Sequence, residues 1–118
     1  MGIGVALASQ VHGLGRRTVV LAGDGGFMLN MGELATAVQE KTGLVLLMMN
    51  DGGYGILRNL QDADFEGRRY YADLHGPNFE WLAKSLGTGF HKVTRLDGLE
   101  GILRAAKDDA APTTIVEF

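Results

Sequence analysis

The stretch VVLAGDGGFMLNMGELATAVQEKTGLVLLMMNDGGYG, residues 19–55, reads as strand, glycine-rich turn, helix, strand and second glycine-rich turn. Val19 to Ala22 is an unbroken apolar run, the pattern of a strand covered on both faces. Gly23-Asp24-Gly25-Gly26 follows at once, and its glycines allow a tight backbone turn. Asn30 is the expected N-cap of the next helix, with Glu33 completing a capping box. The spacing predicts a helix over Met31 to Lys41, with Leu34, Ala35, Val38 and the stem of Lys41 inward and Gly43 as its stop. Leu44 to Met49 is a second buried strand. A crossover of this length joins parallel strands in a right-handed βαβ unit. Both glycine turns then open at the carboxyl edge of the sheet, where α/β proteins bind ligands.

The residue types at that edge suit a particular chemistry. Asp24 ends the first strand, and Asn50-Asp51 end the second. Their oxygens fit a hard cation such as Mg2+, which takes a few protein oxygens and fills its shell with water and phosphate. The N–H groups of Gly25 and Gly26, at a helix amino terminus, can approach phosphate oxygens. Two acidic side chains would repel a phosphate, so a bridging cation is required. On spacing alone, the reading of GDGG and DGGYG as plain tight turns stays open.

GDG, the helix segment GELATA, the apolar strand and NDGGYG resemble the diphosphate-binding motif of thiamine-diphosphate-dependent enzymes. Asp51 stands 27 residues beyond Asp24, at the place of that motif's second ligand, with Asn50 as its preceding partner. The commoner residue there is Asn; Asp keeps an oxygen donor and adds charge. The resemblance implies Mg2+ held by Asp24, Asp51 and the backbone carbonyl of Gly53, and a diphosphate cradled by Gly23, Gly25 and Gly26. It also places Tyr54, Gly55 and Ile56 beside the thiazolium ring. MGIG at the start resembles the family's opening segment, which puts Met1 at the apolar wedge between the cofactor's two rings. Pyruvate-decarboxylase-type members carry an acidic residue where this chain has Leu57, which argues against that subgroup. Acetolactate-synthase-like and benzoylformate-decarboxylase-like members are apolar there.

The 118 residues make one domain, expected as a three-layer doubly wound α/β sandwich of four or five mainly parallel strands, the thiamine-diphosphate-binding fold. The matching segment starts late in the family pattern, so the chain is expected to be a piece of a larger enzyme. A net charge of −3 leaves no electrostatic footprint for nucleic acid, and no apolar run approaches a membrane span. The absence of cysteine excludes disulfides and thiolate metal sites. Cytoplasm is the expected compartment.

Outside the motif, Met1 to Val11 reads as a helix packed on the sheet through Gly2, Gly4, Ala6 and Ala8, with His12 at its carboxyl end. A short helix is expected over Tyr54 to Leu60 with Ile56, Leu57 and Leu60 inward, then a polar surface loop over Asp62 to Tyr71. Arg68 and Arg69 are suited to a substrate carboxylate, but a solvated loop is the plainer role. His75 is read as a turn residue beside Gly76-Pro77. Asn78 caps a helix over Phe79 to Leu86 that Gly87 ends, with Phe79, Leu82, Ala83 and Leu86 on one face and Trp81 read as packing in preference to stacking on a ligand. Gly89 to Val93 is a strand with His91 exposed at its edge; Asp97 caps a helix over Leu99 to Lys107, and Thr113 to Phe118 is the last strand.

The resemblance implies a thiamine diphosphate- and Mg2+-binding domain of a 2-oxo acid-processing enzyme, either an acetolactate-synthase-like carboligase or a benzoylformate-decarboxylase-like decarboxylase. It places the glutamate that activates the cofactor on a pyrimidine-binding domain of the same or another chain, in a homo-oligomer. No residue of this chain takes that part, so the chain alone is expected to be inactive. A non-catalytic docking or structural domain is the alternative of another class. A Rossmann-type nucleotide site is a third, weakened by the lack of a GxGxxG turn.

Overall fold

The computed structural model describes all 118 residues. Four strands, β1 (Thr18–Gly23), β2 (Leu44–Met49), β3 (Gly89–Lys92) and β4 (Thr113–Glu117), form one sheet in the order β1-β2-β4-β3. Every pairing is parallel. Six helices connect and cover them: α1 (Gly2–Val11), α2 (Asp24–Met28), α3 (Glu33–Gln39), α4 (Gly55–Asp64), α5 (Phe79–Leu86) and α6 (Leu99–Asp108).

The alternation of β2 sends its side chains into two separate cores. Leu44, Leu46 and Met48 meet Ala6 of α1, Leu34 of α3 and Phe79 and Ala83 of α5, together with Ile115. Val45 joins Val93, Val116 and Ala106 of α6 on the opposite face. Burial of a side chain such as Phe79 contributes about 1.5–3 kcal/mol. All five residues of β4 are buried, and its polar members have partners. Thr113 Oγ1 donates to the Thr42 carbonyl at 3.1 Å, and Arg17 donates to Thr114 Oγ1 at 3.2 Å. The three-layer α/β architecture expected from the sequence is therefore present, with an entirely parallel sheet.

Several local expectations are corrected. β1 is not covered on both faces: Val20 and Ala22 face the first core, while Val19 and Leu21 are 62% and 66% exposed. Its apolar run conceals this, because α6 lies over β3 and β4 and β1 is an outer strand. The GDGG segment is not a loop; the chain passes directly from β1 into α2. Asn30 and Glu33 form no capping box, since α3 begins at Glu33 with Gly32 at its cap, and Asn30 takes part through its backbone alone, donating to the Phe27 carbonyl and accepting from Glu33 N–H.

Within α3 the buried residues are Leu34 and Ala37, not Ala35. That helix ends on Lys41 instead of Gly43. Lys41 has φ 49°, with Lys41 N–H donating to Val38 and Thr42 N–H to Ala37, the two bonds of a Schellman ending. In α1, Gly2 and Ala6 face the sheet and Gly4 and Ala8 face outward, as a four-residue repeat requires. A Cβ on Gly2 would run into Val20.

α4 is longer than expected and takes Asp62 into the helix. None of its residues is buried; Ile56, Leu57 and Leu60 are all exposed. Trp81 is 71% exposed, with the Lys84 ammonium 5.9 Å from its ring centre, and does not pack inward. Asp97 pairs with Arg95 beside the 3-10 turn Leu96–Gly98, and Gly98 occupies the cap of α6. His91 is half-buried, with its Nε2 at hydrogen-bonding distance, 3.2 Å, from Asp109 Oδ2. Asn78 and Gly87 act as expected: Asn78 accepts from Trp81 N–H at 2.9 Å, and Gly87 takes φ 70°.

Candidate cofactor and metal site

The register of β1 on β2 pairs Gly23 with Met49, so Asp24 and Asn50 emerge side by side at the carboxyl edge. Asp24 opens α2, is 1% exposed, and neither of its carboxylate oxygens has a hydrogen-bond partner. A buried acceptor left unpaired costs about 1–3 kcal/mol, and a charged one costs more. Such a group in a native fold calls for an ion, a water or a ligand as its partner.

The next residue brings the second turn onto the first. A Cβ on Gly25 would stand 2.7 Å from the Tyr54 ring and 2.9 Å from the Gly53 carbonyl oxygen. Only glycine allows that approach, and it sets the Gly53 oxygen one residue from Asp24. Gly26, exposed, has open space at its Cα. Gly23, the cap of α2, is likewise exposed.

The Asp51 carboxylate lies at the start of α4. A Cβ on Gly55 would stand 2.5 Å from its Oδ2, and Arg58 Nη1 is 3.6 Å from the same oxygen. Asn50 faces elsewhere: its amide donates to Glu117 Oε1 at 2.7 Å, where Lys92 also arrives at 3.3 Å. Tyr54 packs its ring on Gly25 and donates its N–H to the Ala72 carbonyl at 2.8 Å. Ile56 is 68% exposed in the first turn of α4. Met1, fully exposed, lines a cleft of about 600 Å³ with Ile3, Val20, Phe27 and Asn30.

No three acidic or histidine side chains converge anywhere in the molecule. A cation here would take a sparse protein donor set of Asp24, Asp51 and the Gly53 carbonyl, leaving room for ligand oxygens. That suits Mg2+, which binds through one or two carboxylates plus phosphate and water. The residues present therefore fit the group.

Arg68 and Arg69 are held in their own loop. Arg68 donates to the Phe65 carbonyl at 3.1 Å, and Arg69 donates from Nε to Asp62 at 2.7 Å. That hydrogen bond holds the Asp62 carboxyl below its ordinary range. His75 is exposed in the segment before α5.

The sequence reading missed Arg58, Asp73 and Glu117. Arg58 had a legible signal, a long cationic side chain one helical turn beyond NDGGYG. Asp73 and Glu117 are brought in only by tertiary folding.

A parallel α/β sheet that gathers acidic and glycine residues of two crossovers at one carboxyl edge defines a domain for a phosphorylated cofactor. The chain belongs to the thiamine pyrophosphate enzyme family, as its C-terminal TPP binding domain, with residues 1–117 matching the family model. It is 29% identical over 117 residues to the acetolactate synthase large subunit of Porphyra purpurea, covering 97% of this chain and 20% of that protein. The acetolactate synthase large subunit of Parasynechococcus marenigrum is 32% identical over 119 residues, covering 98% and 19%. The crystal structure of benzoylformate decarboxylase from Polynucleobacter necessarius superposes with a TM-score of 0.86 at 28% identity, covering 98% of this chain and 22% of that one. The chain thus spans about a fifth of the length of these relatives.

Proposed function

We propose that this chain anchors Mg2+ and the diphosphate of thiamine diphosphate in an acetolactate synthase-like carboligase of 2-oxo acids. The observation that carries this reading is the buried, unpartnered Asp24 carboxylate beside the Gly25–Gly53 contact. When bound, the cofactor supplies a carbanion nucleophile and an electron sink. The chain's own residues bind and orient. Asp24, Asp51 and the Gly53 carbonyl hold the cation, and Gly25 and Gly26 leave their backbone N–H groups open to phosphate oxygens. Tyr54 and Ile56 form one wall, Asn50 fixes the second strand tip through Glu117, and Met1 is the wedge residue.

The activating glutamate comes from a pyrimidine-binding domain of the same or another chain. The exposed α4 face of Ile56, Leu57 and Leu60 supports such a covering partner in a homo-oligomer. Without that domain the chain turns over no 2-oxo acid, and its working compartment is the cytoplasm; no helix is long and apolar enough to cross a membrane.

A second reading, benzoylformate decarboxylase-like decarboxylation, is supported by the close superposition on that enzyme, and the apolar Leu57 fits both readings. Titration calorimetry with thiamine diphosphate tests the common core. Binding should require Mg2+ or Mn2+ and vanish in excess EDTA; equal binding without metal removes the bridging cation. Turnover of pyruvate with the pyrimidine-binding domain supplied then separates the two activities by product. Silence across a panel of 2-oxo acids would favour a non-catalytic domain.

A further inference from the structure

The metal loop, residues 51–54, is gripped by a side chain that reaches back from α4. Arg58, on the first turn of α4, is largely buried and spends nearly all of its planar fork on this loop. Its Nη1 donates to the Asp51 carbonyl at 2.9 Å and its Nη2 to the Gly52 carbonyl at 2.6 Å. Its Nε donates to the Asp73 carboxylate at 2.8 Å. A Cβ on Gly53 would collide with both the guanidinium and the Ala72 carbonyl, so the loop is pinched between them.

Residues 72–74 close the other side. Tyr54 N–H donates to the Ala72 carbonyl at 2.8 Å and Leu74 N–H to the Gly52 carbonyl at 2.9 Å, around an antiparallel bridge between Gly53 and Asp73. Two successive carbonyls, of residues 51 and 52, are thereby claimed by Arg58. The third, of Gly53, lies instead against Gly25, one residue from Asp24. Arg58 Nη1 also sits 3.6 Å from the Asp51 carboxylate, close enough to offset charge but too far for a hydrogen bond.

We propose that Arg58 is the positioning residue of the metal loop. By tying down the carbonyls of residues 51 and 52 it directs the Gly53 carbonyl and the Asp51 carboxylate toward the cation, and Asp73 orients its guanidinium. The inference rests on the reading of this edge as a Mg2+–diphosphate site. Arg58 contacts neither cation nor cofactor. Residues that orient ligands in this way change metal affinity about 10–100-fold when replaced.

The test measures Mg2+ affinity by titration calorimetry at saturating thiamine diphosphate, in the full protein and its Arg58→Lys and Asp73→Asn variants, beside the ligand-free melting temperature. Lysine keeps the charge but cannot serve two carbonyls and a carboxylate at once. Arg58→Lys should weaken Mg2+ about 10-fold or more. Asp73→Asn should weaken it in the same direction with an unchanged ligand-free melting temperature, since the Asp73 side chain is 76% exposed. Unaltered Mg2+ affinity in both variants overturns the proposal, as does a loss seen only in melting temperature. If Arg58→Lys fails to fold, Asp73→Asn decides alone. Metal-independent cofactor binding by the unsubstituted protein is a different failure, which removes the metal reading and this inference with it.

Discussion

Asp24→Asn sets folding and function against each other. In the structure both carboxylate oxygens are buried and unpartnered, so the ligand-free protein carries the cost of an uncompensated acidic group. An unsatisfied buried polar atom costs about 1–3 kcal/mol, and more when charged. The helix amino terminus at which Asp24 sits offsets about 0.3–1 kcal/mol of that. The amide keeps the shape and exchanges one unpaired oxygen for an unpaired NH2, so the gain comes from removing the charge alone and should be about 1–2 kcal/mol. For a chain of this size that raises the melting temperature by roughly 4–8 °C. Differential scanning calorimetry in EDTA measures the gain. The same variant should lose the further stabilisation that Mg2+ and thiamine diphosphate give the unsubstituted protein through mass action. A ligand-free melting temperature that falls, or a ligand-induced shift that survives intact, would refute the reasoning.

Gly25→Ala places a methyl against the Tyr54 ring and the Gly53 carbonyl, at 2.7 and 2.9 Å. Overpacking of this kind costs about 1–3 kcal/mol. Urea unfolding should show that loss, and calorimetry should show weakened cofactor binding because the two turns are pushed apart. Phe79→Ala removes a ring buried in the larger core, where it meets Phe27 edge-to-face at a 5.9 Å centroid separation. It should cost about 3–5 kcal/mol in urea unfolding, with Mg2+ affinity of the folded fraction little changed.

The parallel sheet was legible because its strands are unbroken apolar runs joined by helix-length crossovers, and the meeting of the two glycine segments at one edge was legible because both follow such runs. Local detail was less so, for reasons specific to each place. Glycine at position 43 advertises a helix stop, yet Lys41 takes the left-handed position two residues earlier; a side-chain pattern does not report where the backbone turns. Leu57 and Leu60 look like core residues on hydrophobicity alone, and the structure leaves them outside. Asn50 stands in the motif as the partner preceding Asp51, and nothing in the motif announces that its amide donates to Glu117, 67 residues away. Contacts at that separation carry no periodic trace.

The strand that delivers Asp24 is one of the sheet's two edge strands, hydrogen-bonded along one flank only and bare on one side at Val19 and Leu21. Outer strands open at lower free energy than central ones. The most demanding carboxylate of the molecule therefore follows an edge strand, while β4, sealed on every side, bears no proposed ligand. If the proposed cation sits at Asp24, breathing of β1 would be felt first as its loss, with the interior still folded, and amide exchange along residues 18–23 should fall when Mg2+ and thiamine diphosphate are added.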